Sequence, residues 1–237
     1  MPIHQLKLLE RKTVARATIE LLFEKPDGFT FKPGQYGGFT LINPQETDAG
    51  GITRRFSLLS APHDAKIAIT TRIQSSAYKR ELNALPIGAA IKFAGPTGNF
   101  VLHDDESVPA VFIAGGIGIT PFYSMITHAI HNHSPRSLTL FYGNNTPEDS
   151  AYLEELKKLA STHTNFKLVA VMAHANDQWD GEKGYISYEL IKKHVADINP
   201  PIYYICGSPV MVNALHETLK ELDIADTQIK IEDFPGY

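Results

Sequence analysis

The sequence predicts a two-domain chain: an antiparallel β-barrel or sandwich in the first half, then an α/β domain built on a parallel sheet. Three observations carry this expectation. Short β-branched and aromatic runs separated by turn clusters fill the chain to about Phe100. Beyond Phe100, apolar strand runs alternate with helical patterns. Between the two rhythms lies the acidic stretch Asp104-Asp105-Glu106-Ser107, which sets the expected domains at 1–103 and 104–237.

In the first half, Thr13 to Phe23, Tyr36 to Ile42, Lys66 to Ile73 and Ala89 to Phe93 read as strands. The breaks are Lys25-Pro26-Asp27-Gly28, Lys32-Pro33-Gly34, Asn43-Pro44 and Ala61-Pro62, whose Gly, Pro, Asn and Asp residues favour turns. Ser76 to Leu85 is the exception, because Ser76 can cap a short helix that carries Leu82 and Leu85 on one side. In the second half the strand runs are Val111 to Ala114, Leu138 to Tyr142, Leu168 to Met172 and Ile202 to Ile205, and Ile229 to Phe234 reads as a last strand. Pro147 to Ala160 and Val210 to Leu222 show helical spacing. Strands alternating with helices imply parallel pairing with crossovers.

The stretch Val111 to Met125, VFIAGGIGITPFYSM, prescribes a backbone path. A buried strand ends at Gly115, Gly116 and Gly118, which allow a tight turn and close approach of peptide N–H groups to a ligand. Thr120 is expected to cap the following helix and Pro121 to open it. The positive end of that helix suits a pyrophosphate. Pro121 stands where the third glycine of the G-x-G-x-x-G fingerprint would be.

Composition excludes several classes. The 237 residues are 43% hydrophobic and 20% charged, as in an ordinary globular protein. A net charge of -4 and the lack of basic runs argue against nucleic acid as a partner. No run of eighteen apolar residues suggests a membrane span, and Met1 to Lys12 lacks the apolar stretch of a signal peptide, so a cytoplasmic location is expected. The single cysteine, Cys206, cannot form an internal disulfide or hold an iron–sulfur cluster. His128, His131 and His133 are expected at a solvated helix end, and no metal site is expected.

Three further segments carry chemistry. Arg54-Arg55-Phe56-Ser57-Leu58-Leu59-Ser60 combines a fixed cation, an aromatic face and two hydroxyls on an extended segment. Arg54 and Phe56 should face one way and Ser57 the other. Such a set can bind phosphate, stack on a planar ring and hydrogen-bond its edge. Gly95-Pro96-Thr97-Gly98-Asn99-Phe100 ends the first half, and Cys206-Gly207-Ser208-Pro209 follows the strand Ile202 to Ile205. The latter places a thiol and a sharp turn at the carboxyl end of a parallel strand, where ligands of such sheets bind.

In this order the segments resemble the ferredoxin-NADP reductase family of flavoproteins over nearly the whole chain. Arg54-x-Phe56-Ser57 with Ser60 is similar to the family's R-x-[FY]-[ST]-x-x-S, and Gly95 to Phe100 to its G-P-x-G-x-F. Gly115 to Pro121 is similar to G-G-x-G-x-T-P, Tyr142-Gly143-Asn144 to its Y-G-x-R/N strand end, and Cys206-Gly207-x-Pro209 to C-G-P-P. The resemblance implies an antiparallel flavin-binding β-barrel followed by a Rossmann-like nicotinamide-binding domain. It assigns Arg54, with Ser76 and Ala77, to the FAD pyrophosphate, Phe56 to the isoalloxazine flank and Ser57 to its N5 edge. Gly116, Gly118, Thr120 and Pro121 would face the NAD(P)H pyrophosphate, and Cys206 would lie beside nicotinamide C4. Glu232-x-Phe234 matches the family's acid-x-aromatic terminus, so Phe234 would cover the flavin, with Tyr237 as the other aromatic to consider, and Glu232 would lie near Ser57 and Cys206. Tyr36, Leu58, Ser60, Thr71, Gly143, Asn144, Gly207, Pro209 and Met211 complete the cofactor-binding candidates.

The implied activity is hydride transfer from NAD(P)H to FAD, with Ser57, Cys206 and Glu232 positioning the nicotinamide and managing a proton. NADH is preferred over NADPH, because Asn144-Asn145 and Ala173 to Asp177 supply no arginine for a 2′-phosphate, although His174 and Lys183 stand nearby. With one cysteine, electrons must go to a separate acceptor: an iron–sulfur protein such as ferredoxin, flavodoxin, a haem protein or an oxygenase component. Alternatives are reduction of free flavin or ferric chelates, or a non-catalytic electron-transfer subunit of a larger complex.

Overall fold

A computed structural model describes residues 2–234. The first half is a six-stranded antiparallel sheet in the order β4-β3-β6-β1-β2-β5. Its strands are β1 (Ile3–Ala15), β2 (Thr18–Glu24), β3 (Tyr36–Thr40), β4 (Thr53–Ser57), β5 (Lys66–Arg72) and β6 (Ala90–Thr97). The sheet curls until its two ends meet: just past β4, the Leu59 amide donates to the carbonyl of Ala68 in β5 at 2.8 Å. A barrel results, filled by Leu6, Leu8, Leu21, Phe23, Phe39, Ile67, Ile69 and Phe93, all fully buried. One expectation is corrected. Thr13 to Phe23 is a hairpin rather than one strand, because Ala17 takes a left-handed conformation (φ +48°) with no glycine or proline to mark it. Helix α1 (Ala77–Ala84) follows β5, and Ser76 caps it by accepting from the Lys79 amide at 3.3 Å.

The second half is a six-stranded parallel sheet in the order β10-β9-β8-β7-β11-β12. Its elements are β7 (Ala110–Gly115), α2 (Ile119–His131), β8 (Leu138–Asn144), α3 (Leu153–Thr162), β9 (Phe166–Met172), β10 (Glu182–Lys183), α4 (Tyr188–His194), β11 (Ile202–Gly207), α5 (Pro209–Glu221) and β12 (Ile229–Asp233). Both faces are covered, which explains the unbroken apolar strands. Phe112 and Ala114 pack with α2 and α3, whereas Val111 and Ile113 pack with α4 and α5. The helix expected from Pro147 starts only at Leu153, since Tyr152 is left-handed (φ +62°). Its ring turns toward the barrel, where the hydroxyl donates to Glu20 Oε2 at 2.8 Å.

Barrel and sheet share a core. Leu59, Ala68 and Phe100 belong to the same buried cluster as Phe122, Met125 and Tyr142. At its edge, Ser124 Oγ of α2 donates to the Ser60 carbonyl at 2.7 Å. His128 and His131 also lie on this seam: His63, in the turn before β5, stacks on His131 at 3.7 Å and on His128 at 5.9 Å. Among the described residues, no group of three acidic, His or Cys side chains could hold a metal ion, and no helix is long and apolar enough to cross a membrane.

Candidate functional site

In the parallel sheet the chain runs outward from β7 to β10, then returns to the other side of β7 for β11 and β12. The strand order therefore reverses between β7 and β11, and ligands of open α/β sheets bind at the carboxyl ends beside such a point. Here those ends are Gly115 and Gly207. Gly116 to Gly118 form a one-turn 3-10 helix that runs directly into α2. Gly118 is obligatory there: a Cβ would lie 2.3 Å from the carbonyl oxygen of Cys206. Thr120 does not cap the helix, contrary to expectation. It lies inside the first turn, buried, with its hydroxyl donating to the Ile117 carbonyl at 3.1 Å. Pro121 likewise stands third in the helix, where no intrahelical N–H is needed.

A cavity of about 480 Å³ opens at this end of the sheet, lined by Gly115, Gly116, Gly143, Asn144 and Met211. Pro209 opens α5 beneath it, and Ser208 caps that helix through the Met211 amide. Both side-chain polar atoms of Asn144 are buried beside the Tyr142 hydroxyl without a good hydrogen bond. Orphaned polar groups facing a cavity are the signature of a ligand contact.

The barrel adds a residue that the sequence did not single out. Arg72, at the end of β5, lines the same cavity, and its Nε is buried with no partner. A hydrogen bond from its Nη2 to the Asp149 carbonyl is long at 3.5 Å. No motif marks an arginine that closes a strand, and only the docking of the barrel onto the sheet reveals its position. Lys79 of α1 joins it: burial first, and then the fields of Arg54 and Arg72, push its ammonium pKa down. Arg54, Arg72 and Lys79 lie close enough for their fields to add, and such a positive patch on the barrel favours an anionic ligand.

The sequence-predicted trio does come together. Cys206 and Glu232 are paired neighbours in β11 and β12. Ser57, at the end of β4, reaches them from the barrel; it is buried, and its hydroxyl lowers the Glu232 pKa without completing a hydrogen bond of good geometry. Burial dominates, so the Glu232 carboxyl is pushed up to about 7, with the nearby Asp233 charge adding to the rise. The Cys206 thiol is fully buried and driven up, first by desolvation and then by Glu232 and Asp233, so it stays protonated. Phe234 follows directly, half-buried, its amide donating to the Gly207 carbonyl at 2.9 Å. Tyr237 lies outside the described residues.

The other barrel candidates divide. Arg54 and Phe56 share one side of β4, as the alternation predicts, and both meet Tyr78: the guanidinium lies 5.1 Å from its ring and Phe56 6.1 Å. Tyr36 is the paired neighbour of Ser57 and lies beneath the Arg55 guanidinium. Ser76 and Ala77 open α1 near Arg54, through Asp48. Leu58 turns into the barrel core, and its amide donates to the Gln35 carbonyl. Ser60 Oγ is occupied by the Ala68 amide, and Thr71 is buried within β5. The Leu58 side chain, Ser60 Oγ and Thr71 are thus engaged within the barrel.

Residues 112–217 match the family model described as the oxidoreductase NAD-binding domain. Ferredoxin-NADP reductase B of Sorangium cellulosum is 28% identical over 226 residues, which cover 91% of this chain and 91% of that protein. The anthranilate 1,2-dioxygenase electron transfer component of Acinetobacter baylyi is 31% identical over 209 residues, 86% of this chain and 58% of that protein. A solved ferredoxin NADP+ reductase from Neisseria gonorrhoeae superimposes with a TM-score of 0.83 at 21% identity, over 98% of this chain and 99% of that one. Over nearly its whole length the chain is thus similar to ferredoxin-NADP reductases in sequence and in fold. It spans less than two thirds of the length of several curated relatives that it matches. The reductase-family motifs fall where the two sheets meet: the glycine turn and Cys206-Gly207 on one side, Arg54 to Ser60 on the other.

Proposed function

We propose that the chain is a FAD-dependent reductase that accepts hydride from a reduced nicotinamide nucleotide and passes electrons to a separate acceptor. The observation that carries this reading is the meeting of Ser57, Cys206 and Glu232 at the switch point between barrel and sheet. The residues fit a flavin dinucleotide. Ser57 Oγ is a buried hydroxyl with no hydrogen bond, and Arg54 with the α1 N-terminus offers donors to a pyrophosphate. When bound, FAD supplies the hydride-accepting ring and the release of electrons one or two at a time.

The protein supplies position and proton control. Gly116 to Gly118 and the α2 N-terminus hold the nicotinamide nucleotide's pyrophosphate, with Arg72 reaching it from the barrel. Cys206, neutral and small, sets the floor of the nicotinamide site without covalent chemistry. Glu232, poised near neutrality, holds or yields a proton beside Ser57. Phe234 would lie against the flavin ring on the side of Gly207 and would have to move aside for the nicotinamide. NADH is favoured over NADPH, because Arg72 is the only cation among the described residues that line the cavity, whose wall also includes Tyr185, Ile186, Val210, Ala214 and Thr218. The acceptor is a separate redox protein such as a ferredoxin or an oxygenase component. We place the domain division at 103/104 and the chain in the cytoplasm, where reduced nicotinamide is available.

Purified protein should carry or take up a yellow FAD chromophore, and anaerobic titration should bleach it with NADH at lower concentration than with NADPH. Failure to bind flavin overturns the reading. Flavin that binds but is reduced by neither nucleotide points instead to a scaffold subunit.

A further inference from the structure

The donors assigned above to the cofactor's pyrophosphate are engaged by one side chain of the chain itself. Asp48 lies in the segment between β3 and β4. Its Oδ2 accepts from the Ala77 amide, the first of α1, at 2.7 Å. Its Oδ1 accepts from the Gly50 amide at 2.9 Å and lies 3.4 Å from Arg54 Nη2. One carboxylate therefore bridges the guanidinium and the helix end. Arg54 Nη1 is turned onto the loop as well, donating to the carbonyls of Gly50, Gly51 and Thr53.

The loop is built to hold this arrangement. Glu46 makes a two-pronged pair with Arg80 at 2.7 Å, and the Gln45 amide donates to Glu81 Oε2 at 2.9 Å, so the segment is fastened along α1 at three places. Gly50 leaves room for this pairing: a Cβ there would lie 2.3 Å from Arg54 Nη2 and 3.0 Å from Asp48 Oδ1, so the guanidinium would have to shift. The carboxylate is held ionised, first by the Ala77 amide and then by the Gly50 amide and Arg54. Were Asp48 only an orienting partner for Arg54, it would not also need the helix end. A peptide amide has a single hydrogen, so the bond from Ala77 to Asp48 excludes the same bond to a phosphate oxygen. The Arg54 contact is solvent-exposed and the Ala77 contact only part-buried, and exposed ion pairs are weak enough to be displaced by a doubly charged ligand.

We propose that Asp48 is an internal competitor for the cofactor's phosphates: it holds the Arg54–Ala77 cradle, must yield it for FAD to bind, and so sets the affinity and rate of cofactor uptake. The proposal rests on the FAD reading above. It makes the loop from Gln45 to Gly51 a gate on cofactor loading that leaves the ring-binding side of the barrel untouched.

The test compares flavin-stripped wild-type protein with Asp48→Asn and Asp48→Ala, titrated with FAD, FMN and riboflavin by quenching of flavin fluorescence, with uptake followed by stopped flow. Losing a competing charge-assisted bond should tighten FAD about tenfold in both variants and speed its uptake, while riboflavin, which has no phosphate, binds unchanged. Melting temperatures of the stripped variants should fall by a few degrees, because the flavin-free protein loses the bonds that Asp48 makes to Ala77, Gly50 and Arg54. FAD affinity unchanged or weakened in both variants, with wild type binding normally, overturns the proposal alone. Equal tightening of riboflavin also overturns it, because the effect then owes nothing to phosphate. Wild-type protein that binds no flavin overturns this proposal together with the reading on which it rests.

Discussion

Cys206 and Glu232 sit side by side across β11 and β12, a neutral thiol next to a carboxyl that titrates near 7, both closed over by the barrel at Ser57. At neutral pH Glu232 is only partly ionised where a free carboxyl would be fully so, and the Cys206 thiol resists ionisation even more than a free thiol. The environment is thus dry enough to favour neutral forms, which suits a site where hydride must move without competing water.

Glu232→Gln should flatten a pH dependence of stability. The folded-state pKa of about 7 exceeds the ordinary 4.5, so between those values the folded chain holds more protons than the unfolded one. Stability attributable to this group is full below about 4.5, falls as pH rises and levels off above 7. Wild type should lose about 3 kcal/mol across that window, and the glutamine variant should not. Urea denaturation at pH 5 and pH 8 reads the difference, and parallel losses in both proteins would show that Glu232 is not the titrating group.

Ser57→Ala removes a hydroxyl that makes no hydrogen bond, so the melting temperature should stay within a degree or two. Hydride transfer, measured by rapid mixing with NADH, should slow by about tenfold or more if the hydroxyl orients the ring edge. Cys206→Ala should slow the same step while leaving FAD affinity nearly intact. Transfer rates equal to wild type in both variants would place these residues outside the active site.

Arg72→Ala should weaken binding of the nicotinamide nucleotide by about tenfold, the worth of one charge-assisted contact to a phosphate. Arg72→Lys should recover part of it, because the ammonium keeps the charge but not the planar fork. Equilibrium titration with NAD+ gives the affinities, and a wild-type value for the alanine variant would remove Arg72 from the site.

Gly118→Ala puts a methyl 2.3 Å from the Cys206 carbonyl oxygen, a contact that backbone on both sides must relieve. We expect a loss of about 1–3 kcal/mol and a nucleotide affinity reduced in parallel, since the turn is levered away from the switch point. A fully stable variant with unchanged affinity would mean the turn has slack.

The sequence made the architecture readable because its periods are clean: unbroken apolar strands such as Val111 to Ala114 demand cover on both faces, and Ser76 announces the only helix of the barrel half. Ser57, Cys206 and Glu232 were nominated by motif spacing, and their meeting is a consequence of topology. What escaped was set by tertiary contact. The turn at Arg16 and Ala17 carries no turn-forming residue, Tyr152 leaves the helical path to reach Glu20, and Thr120 looks like a cap but is swallowed by the 3-10 run before it. Arg72 and Asp48 matter through partners distant in sequence, the cavity in one case and Ala77 in the other.

The cluster that joins Leu59, Ala68 and Phe100 to Phe122, Met125 and Tyr142 bears on how such a chain can be dissected. A cut between the halves would bare apolar surface on both pieces, and the Ser124 to Ser60 bond would lose both its ends to water. Unfolding should therefore be a single cooperative event despite the two sheets. Grafting the nucleotide half onto another barrel would demand a matched seam before any catalytic residue came into question.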